Sequence, residues 1–516
     1  MDKATEQQNN KRIAKNTLLL YFRMLLTMGV GLYTSRVILQ TLGVEDFGIY
    51  NVVGGVVSMF AVISGSLSAA ISRFITFELG KNDYETLRKV FSSAVTIQII
   101  LAILILILAE SVGLWFLNAK MSIPIERMGA ANWVLHFSII TFCINLISVP
   151  YNAAIIAHER MRAFAYVSII EAFGKLAIAW AILASPIDKL VFYAFLMCSI
   201  AVIIRIIYGW YCKKHFDECT YHFFFDKPLI KEMFGFAGWN FIGASSAVLR
   251  DHGGNIVLNL FFGPTVNAAR GIATQVQNAV YQFMSSFTTA LNPQITKSYA
   301  SGNHAYMMSL IFKGARLSFY MLMLISLPIL LNTEFILGIW LKNFPEHTVR
   351  FVQLTLIFVL SESISAPLIT AMLATGNIRN YQIVVGGLQM MNLPVSYILL
   401  KFGFAPEFVF VTAICISQCC LWSRLFMLKN MISLKIRSYL KHVYLNVISV
   451  FIVSLIIPIS AKLYFSLATK PLDFFILCIL SISCSSITCL YIGCNCEERN
   501  FVYSKIASLK NRFTRS

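Results

Sequence analysis

The sequence contains few charged residues, and acidic ones are the scarcest of them. Asp, Glu, Lys and Arg make up 13% of the 516 residues, whereas a soluble domain carries about a quarter. That shortage excludes a soluble enzyme, a disordered protein and a secreted disulfide scaffold. Hydrophobic residues make up 58% of the chain, and they form apolar runs of about twenty residues from end to end. We therefore predict an all-α polytopic membrane protein.

Recognisable catalytic and cofactor motifs are also missing. Gly80-Lys81 and Gly174-Lys175 lack the rest of a phosphate-binding loop, so we predict no nucleotide-driven motor. Most of the twelve cysteines lie inside apolar runs, where cysteine acts as a small hydrophobic residue. No paired acids or metal-ligand sets stand out. We accordingly expect neither an enzyme nor a resident metal or cofactor.

Apolar runs of about twenty residues per crossing divide the chain into fourteen predicted transmembrane helices. Turn residues and charges between the runs set their ends. The predicted spans are 15–41, 44–70, 88–112, 129–157, 164–184, 189–212, 236–262, 265–292, 309–332, 348–374, 379–401, 404–428, 440–464 and 471–493.

The distribution of the 42 basic residues predicts the orientation of the chain. With the N-terminus in the cytoplasm, 27 Lys and Arg fall on cytoplasmic loops and tails, 8 on outside loops and 7 in spans. An excess of Lys and Arg on the cytoplasmic side sets the orientation of membrane proteins. Fourteen spans also return the C-terminus to the cytoplasm. The net charge of +18 therefore needs no nucleic-acid partner.

The second half of the chain repeats the first. An offset of 220 residues pairs Gly43 with Gly263, and a small gap then places Gly80 on Gly302. Six helices separate the partners, and because this number is even the two repeats share an orientation. A further offset of 217 gives the pairs Pro150 with Pro367, Ala154 with Ala371, Ala157 with Ala374, and Arg162 with Arg379.

The repeat predicts two six-helix lobes followed by two extra helices. Substrate sites in transporters built this way lie between the repeats. The predicted segments are a cytoplasmic N-terminal tail (1–14), an N-lobe (15–212), a cytoplasmic linker (213–235), a C-lobe (236–430), helices 13 and 14 (431–493) and a basic cytoplasmic tail (494–516).

Seven basic side chains fall within the predicted spans, where a charge at the bilayer centre costs roughly 2.5–3.5 kcal/mol. Arg36 and Arg270 fall in the outer half of their spans, and Arg250 lies near the middle of its span. These three are the candidates for binding a diphosphate, because a guanidinium group grips phosphate through its planar fork. For Arg250 the alternative is a structural ion pair with the adjacent Asp251.

Acidic residues within the spans are the candidates for ion coupling, and H⁺ and Na⁺ are the candidate ions. Glu171 and Lys175 are four residues apart and can pair on one helix face, which leaves a purely structural role open. Asp251 adjoins Arg250. Glu362 has no evident local partner in the sequence and is either a coupling carboxylate or a buried, protonated acid.

The eighth predicted helix carries a stripe of small and polar residues. They recur at intervals of four and three, so they lie along one helix face. Lipid does not tolerate such a face, which must meet either a wet cavity or another helix. The amide side chains favour a cavity that binds sugars. This polar stripe consists of Gly271, Gln275, Asn278, Gln282, Ser285, Thr289 and Asn292, and the sugar-binding candidates are Gln275, Asn278, Gln282, Ser285 and Thr289.

Five segments resemble the Wzx-type polysaccharide flippases. They are SRVILQTLGVEDFGIYNVVGG (35–55), SRF (72–74) with FELG (77–80), NLFFGPTVNAARG (259–271), ALNPQITKSYA (290–300) and ATGNIR (374–379). The resemblance covers nearly the whole chain and implies membership of the multidrug/oligosaccharidyl-lipid/polysaccharide (MOP) exporter superfamily. It implies two lobes that alternate between inward-open and outward-open states. It further implies transport of a polyprenyl-diphosphate-linked oligosaccharide across the bacterial inner membrane.

The leading hypothesis is a flippase that carries this repeat unit from the inner to the outer leaflet for lipopolysaccharide, capsule or exopolysaccharide synthesis. Its partners would be the lipid-linked oligosaccharide, membrane lipids, and the glycan polymerase and glycosyltransferases of the same pathway. A cation-coupled drug antiporter of the same superfamily is the first alternative, which the excess of Arg over acids in the spans disfavours. A non-transporting scaffold of a glycan-assembly complex is the second.

Overall fold

The fold is entirely helical throughout the part of the chain that is described. The computed structural model describes residues 3–58, 60–120, 123–185, 187–222, 226–341, 343–464, 471–496, 498–500 and 503. Eleven helices within these ranges are long and apolar enough to cross a membrane. The prediction of an all-α polytopic membrane protein is therefore confirmed. Most of the predicted basic C-terminal tail lies outside the described residues.

The helices follow the predicted order of spans. Short π-helical segments continue three of them, at Ala109–Gly113, Leu440–Tyr444 and Cys489–Gly493. Three short helices, α4, α10 and α15, have no predicted span of their own. The helices are α1 (Lys3–Ser58), α2 (Ala61–Lys81), α3 (Tyr84–Leu108), α4 (Leu114–Lys120), α5 (Ile125–Ala157), α6 (Met161–Ala181), α7 (Lys189–His215), α8 (Lys227–Ala300), α9 (His304–Leu331), α10 (Thr333–Leu341), α11 (Thr348–Thr375), α12 (Arg379–Met390), α13 (Asn392–Lys401), α14 (Phe408–Ile432), α15 (Ile436–Tyr439), α16 (Leu445–Tyr464) and α17 (Pro471–Thr488).

The two longest helices, α1 and α8, are each broken by one glycine. Gly43 has φ 81° and ψ 170°, and Gly263 has φ 76° and ψ −169°. These backbone angles belong to a region that residues with a Cβ atom hardly enter, so glycine is required at both points. The breaks fall at the predicted boundaries between spans 1 and 2 and between spans 7 and 8.

The turns at the ends of α2 and α8 also match, but with a different register from the one predicted. Asn82 and Gly302 both have positive φ, at 60° and 72°. The N–H of Asp83 donates to the Glu78 carbonyl, and the N–H of Asn303 donates to that of Ser298. The offset therefore remains 220, and the predicted gap that placed Gly80 on Gly302 is wrong. Sequence identity drew the alignment to a second glycine, although asparagine also tolerates the left-handed conformation.

The chain divides into two compact units. The first unit comprises Met1–Ser245, Thr289–Asn303 and Leu373–Gln382. The second comprises Ser246–Thr288, His304–Met372 and Ile383–Ser516. The predicted lobe boundaries at 212, 236 and 430 stay a prediction.

The core of the first unit forms around α5. This helix packs against α2, α3 and α7, while α1 packs mainly on α6. Val53, Ala131, Val134, Leu135 and Ile139 are fully buried in one apolar cluster. Because lipid tails are as apolar as these side chains, close packing rather than the hydrophobic effect holds the helices together.

In the second unit, α9, α16 and α17 pack on one another. Arg316 on α9 is buried and donates to the Gly493 carbonyl at 3.0 Å and to Glu498 at 2.8 Å. Tyr320, one helical turn further along, donates to Asn446. These bonds fix the end of the π segment that follows α17.

An ion-pair cluster closes one end of the first unit. Arg127, at the start of α5, donates to Asp46 in α1 and to Asp188 before α7, the latter at 2.5 Å. Asp188 also caps α7 by accepting from the N–H groups of Leu190 and Val191. Arg127 therefore ties together three separate parts of the chain, since its partners lie 61 and 81 residues away in sequence.

Asp188 gives this cluster a pH dependence. Burial alone would raise the pKa of Asp188, but hydrogen bonds from Arg127 and from the backbone of α7 hold that pKa below its ordinary value. The ionised carboxylate therefore stabilises the fold above the unfolded-state pKa, and this contribution is lost as the pH falls through the folded-state pKa.

We expect Asp188→Asn to lose the ion pair and keep the cap, whereas Asp188→Ala loses both. The alanine variant should be less stable than the asparagine variant by about 1 kcal/mol, the usual value of a helix cap. Apparent melting temperatures of the purified protein in detergent, measured between neutral and acidic pH, test this. Asp188→Asn should flatten the loss of stability on acidification, while the neighbouring exposed Glu126→Gln should leave it as in the wild type. Equal pH profiles for all three variants would contradict the assignment.

Candidate functional site

Arg250 forms the centre of a charged cluster in the second unit. It lies on α8 before the break at Gly263, and its Nε and Nη2 donate to Asp251 at 2.9 and 3.3 Å. The Arg250 side chain is 11% exposed, whereas that of Asp251 is 52% exposed. Its guanidinium group also lies 5.2 Å from the ring centre of Phe358. Arg250 therefore forms the ion pair with Asp251 that the sequence left open as an alternative. The carboxylate of Asp251 in this pair remains exposed.

Arg270 reaches the same cluster from the other side of the break in α8. Its Nη2 donates to the backbone carbonyl of Asp251 at 2.9 Å, and its guanidinium lies 5.2 Å from the ring centre of Phe410. The Nε of Arg270 is buried without a hydrogen-bond partner among the described residues. A buried donor in this condition is ready to bind an acceptor. Two guanidinium groups and one carboxylate give the cluster a formal charge of +1.

Gly254 allows this approach. A Cβ atom at this position would lie 2.6 Å from both terminal nitrogens of Arg270. The guanidinium therefore rests directly on the backbone of α8, one turn from Arg250.

The third predicted diphosphate ligand is not in this cluster. Arg36 lies on α1 in the first unit, where it is exposed and has no ion pair with any described residue. The structure thus brings together Arg250 and Arg270 and leaves Arg36 on its own. The three were grouped by their depth in the predicted spans and by their guanidinium chemistry, and neither determines tertiary contacts.

The polar stripe lies on an open face of α8. Gly271, Gln275, Asn278, Gln282 and Ser285 are all exposed, and Thr289 and Asn292 are half-buried. The stripe begins one residue after Arg270, so the guanidinium and the amides follow each other along one helix. An exposed line of amides within a span is incompatible with lipid contact, because each amide would lose its hydrogen bonds.

Glu362 belongs to a polar network that the sequence did not predict. It lies on α11 and accepts a hydrogen bond from Ser417 on α14. Gln418 donates to Ser361 at 2.5 Å, and Tyr444 in the second π segment donates to Gln418 at 3.0 Å. Glu362 also interacts electrostatically with Arg250. Its hydrogen-bond partner lies 55 residues away in sequence, and the Ser417-Gln418 pair inside the apolar run of α14 was the signal that would have indicated one.

Glu171 and Lys175 form their predicted ion pair on α6, at 2.6 Å. Both side chains are about two-fifths exposed, 39% and 42%. On the neighbouring α1, Arg23 donates to Ser168 at 3.1 Å. The pair belongs to the first unit and does not join the Arg250 cluster. Across the described ranges, no group of three or more His, Cys, Asp or Glu is arranged to hold a metal ion.

A cavity of about 290 Å³ in the first unit carries only uncharged side chains. Tyr50 and Asn145 line this cavity. In the internal repeat, Tyr50 corresponds to Arg270 at an offset of 220, and Asn145 corresponds to Glu362 at an offset of 217. The cavity was not predicted, because its lining carries no charge that would mark it in the sequence. The lining residues are Tyr50, Gly54, Val57, Ser138, Thr141, Phe142, Asn145, Ala194 and Met197.

Comparison with known proteins decides the family. Residues 13–299, more than half of the chain, match the family described as "Polysaccharide biosynthesis protein". The chain belongs to this family. The membrane protein EpsK of Bacillus subtilis (strain 168), whose function is uncharacterised, is 20% identical over 299 residues. That match spans 57% of this chain and 58% of EpsK, so the chain spans somewhat over half of the length of this curated relative.

Solved structures show the fold of this polysaccharide biosynthesis family member. An outward-facing multidrug resistance transporter of the MATE family, within the MOP superfamily, has a TM-score of 0.69 at 12% identity, covering 82% of this chain and 96% of that chain. A MATE structure in the bent conformation has a TM-score of 0.72 at 12% identity, covering 84% and 98%. A MOP transporter from Pyrococcus furiosus has a TM-score of 0.67 at the same identity. The predicted resemblance to polysaccharide flippases of the MOP superfamily is confirmed by the family match and by this shared fold.

We expect Gly254→Ala to act as a loss of Arg270. The new methyl group displaces the flexible guanidinium from the Asp251 carbonyl and leaves the helix intact, since alanine favours a helix over glycine. Binding of a short-chain prenyl diphosphate to the purified protein should weaken to the level of Arg270→Gln, and the double variant should be no weaker. Gly387→Ala is the matched control, because a Cβ atom there meets nothing within 4 Å. Equal binding by Gly254→Ala and the control would exclude this role for Gly254.

Proposed function

We propose that the protein is a flippase for a lipid-linked oligosaccharide. It would move a polyprenyl-diphosphate-linked glycan unit from the inner to the outer leaflet of the bacterial inner membrane by alternating access, with both termini in the cytoplasm. Membership of a polysaccharide biosynthesis family and a MOP transporter fold support this proposal. The single observation that carries it is the continuity of the Arg250–Arg270 cluster with the exposed polar stripe on α8.

The cluster has the chemistry of a diphosphate site. A diphosphate offers several acceptor oxygens, and guanidinium groups bind such oxygens through two parallel hydrogen bonds. Arg270 has a buried, unpartnered Nε, and Arg250 is held in place by Asp251 and Phe358. Holding the donors in advance lowers the ordering cost that a ligand meets on binding.

The polar stripe has the chemistry of a sugar site. Gln275, Asn278 and Gln282 present both donors and acceptors, as sugar hydroxyls require. A lipid-linked glycan needs an anion site and a neutral hydrogen-bonding surface side by side, and α8 supplies them in that order. The prenyl chain would remain among the lipid tails.

The membrane potential and a coupling ion would give transport its direction. An inside-negative potential already favours outward movement of anionic charge by roughly 2.3 kcal/mol per charge per 100 mV. H⁺ or Na⁺ could add directionality at Glu362, whose network connects α11, α14 and the π segment before α16. The exposed carboxylate of Asp251 is the second candidate.

A cation-coupled drug antiporter of the same superfamily is the rival function, since the solved structures of similar fold include multidrug transporters. A cationic drug would need an excess of acids, whereas the cluster has two arginines for one aspartate. The third possibility, a non-transporting scaffold for a glycan polymerase and glycosyltransferases, gives no reason for an exposed polar stripe within a span.

We expect Arg250→Gln to lower the flipping of a lipid-linked oligosaccharide in proteoliposomes by about ten- to a hundredfold. This is the effect of losing a charge-assisted hydrogen bond worth about 1.5–3 kcal/mol. Arg205→Gln is the control, because Arg205 is also embedded but stacks on Tyr151 in the first unit. Unchanged flipping by Arg250→Gln would exclude Arg250 from the mechanism.

The same liposomes separate the rivals. Movement of cationic drugs with no movement of lipid-linked sugar would establish the antiporter. No movement of either under any gradient would leave the scaffold.

We expect Glu362→Gln to abolish the stimulation of flipping by an ion gradient. The rate of substrate exchange without a gradient should stay within about twofold of the wild-type rate. The amide keeps a hydrogen-bond acceptor for Ser417 but cannot bind and release a proton. Initial rates with imposed pH and Na⁺ gradients provide the measurement, and Glu85→Gln, at an exposed acid on α3, is the control. Full gradient response in Glu362→Gln would contradict coupling through this residue.

A further inference from the structure

Three donor side chains surround one buried carboxylate near the C-terminal end of α8. Glu159 lies in the turn between α5 and α6, and its side chain is 1% exposed. Gln294 donates to both of its oxygens at 2.7 Å, Lys297 lies 3.0 Å from Oε1, and the Nε of Arg12 lies 2.9 Å from Oε2. All these residues belong to the first unit. They also lie on the side of the membrane that the distribution of basic residues assigns to the cytoplasm.

The backbone of Glu159 adopts a conformation that a residue with a side chain does not favour. Glu159 has φ 57°, a left-handed conformation that favours glycine. The internal repeat supplies the comparison: at the offset of 217, Glu159 corresponds to Gly376, which has φ 78° in the equivalent turn between α11 and α12. The turn can therefore be built with glycine. Only one of the two equivalent turns has a strained residue with a side chain, and that residue is Glu159. Such strain indicates a function for the Glu159 side chain.

The three donors form an anion site of their own. Two cations and an amide N–H converge on one point, with a formal charge of +2 before Glu159 is counted. The Arg12 side chain is 48% exposed and that of Lys297 is 22% exposed, so the cations remain accessible while the carboxylate does not. Removing the carboxylate from this site would leave two buried or half-buried cations in need of another anion.

We infer that Glu159 is the internal occupant of an anion-binding site formed by Arg12, Gln294 and Lys297, and that the phosphate groups of an incoming substrate displace it. This inference rests on the proposed function for the identity of the substrate as a diphosphate. The site is separate from the Arg250 cluster, which belongs to the second unit. Glu159 sets a threshold for loading, because a ligand must compete with a tethered carboxylate at high effective concentration.

The test measures, by calorimetry, the affinity of inorganic pyrophosphate for the full-length protein in lipid nanodiscs. Glu159→Gln should bind pyrophosphate about tenfold more tightly than wild type, because the internal competitor is neutralised. Glu159→Gly removes the competitor and the backbone strain together, so it should show the same gain even if the glutamine variant folds poorly. Adding Lys297→Gln or Arg12→Gln to Glu159→Gln should abolish the gain.

Two controls identify the site. Glu85→Gln removes an 83% exposed acid on the same side of the membrane, and it should leave pyrophosphate binding unchanged, which excludes a general effect of net charge. Arg250→Gln combined with Glu159→Gln should retain the gain, which excludes the second-unit cluster. A gain equal to that of Glu85→Gln, or one that survives Lys297→Gln, would overturn the inference. If the variants bind pyrophosphate as expected but the wild-type protein does not flip a lipid-linked sugar, the anion site is supported and the proposed function is wrong. If the wild-type protein flips the sugar but the variants do not bind as expected, only this inference is wrong.

Discussion

The cost of leaving polar groups without partners in hydrocarbon governs this structure. It makes every described crossing helical, since only a helix satisfies its own backbone. It also dictates where embedded cations lie. Arg23 bonds Ser168, Arg205 stacks on Tyr151, and Arg250 pairs with Asp251. The exposed amides of Gln275, Asn278 and Gln282 on the polar stripe are incompatible with lipid contact and must therefore meet water or a ligand.

The helices could be predicted from sequence because their signal is local. Apolar runs of span length and a glycine between them are sufficient to place the breaks at Gly43 and Gly263. The candidate site could be predicted only in part. Arg250, Arg270 and the polar stripe share one helix, so spacing alone placed them on it. Arg36 was grouped with them by depth, and nothing in a one-dimensional pattern reports which helices become neighbours.

The residues that sequence reasoning missed are those whose partners are distant along the chain. Arg127 is 81 residues from Asp46, and Glu159 is 135 residues from Gln294. Read alone, each is an ordinary charge in a short loop. The turn at Glu159 carries one further signal, visible only with the repeat: its counterpart is Gly376. A charged residue at a position where the fold accommodates glycine was the available sign, and it required the correct repeat register.

The repeat also explains why the charge lies where it does. Tyr50 and Asn145 line a neutral cavity in the first unit, whereas the equivalent positions in the second unit hold Arg270 of the charged cluster and Glu362, which interacts electrostatically with Arg250. The same backbone plan therefore carries a surface suited to uncharged ligand groups in one unit and to an anion in the other. The internal repeat determines which positions can carry binding groups. The side chains that differ between the two copies determine which kind of ligand group each copy can bind.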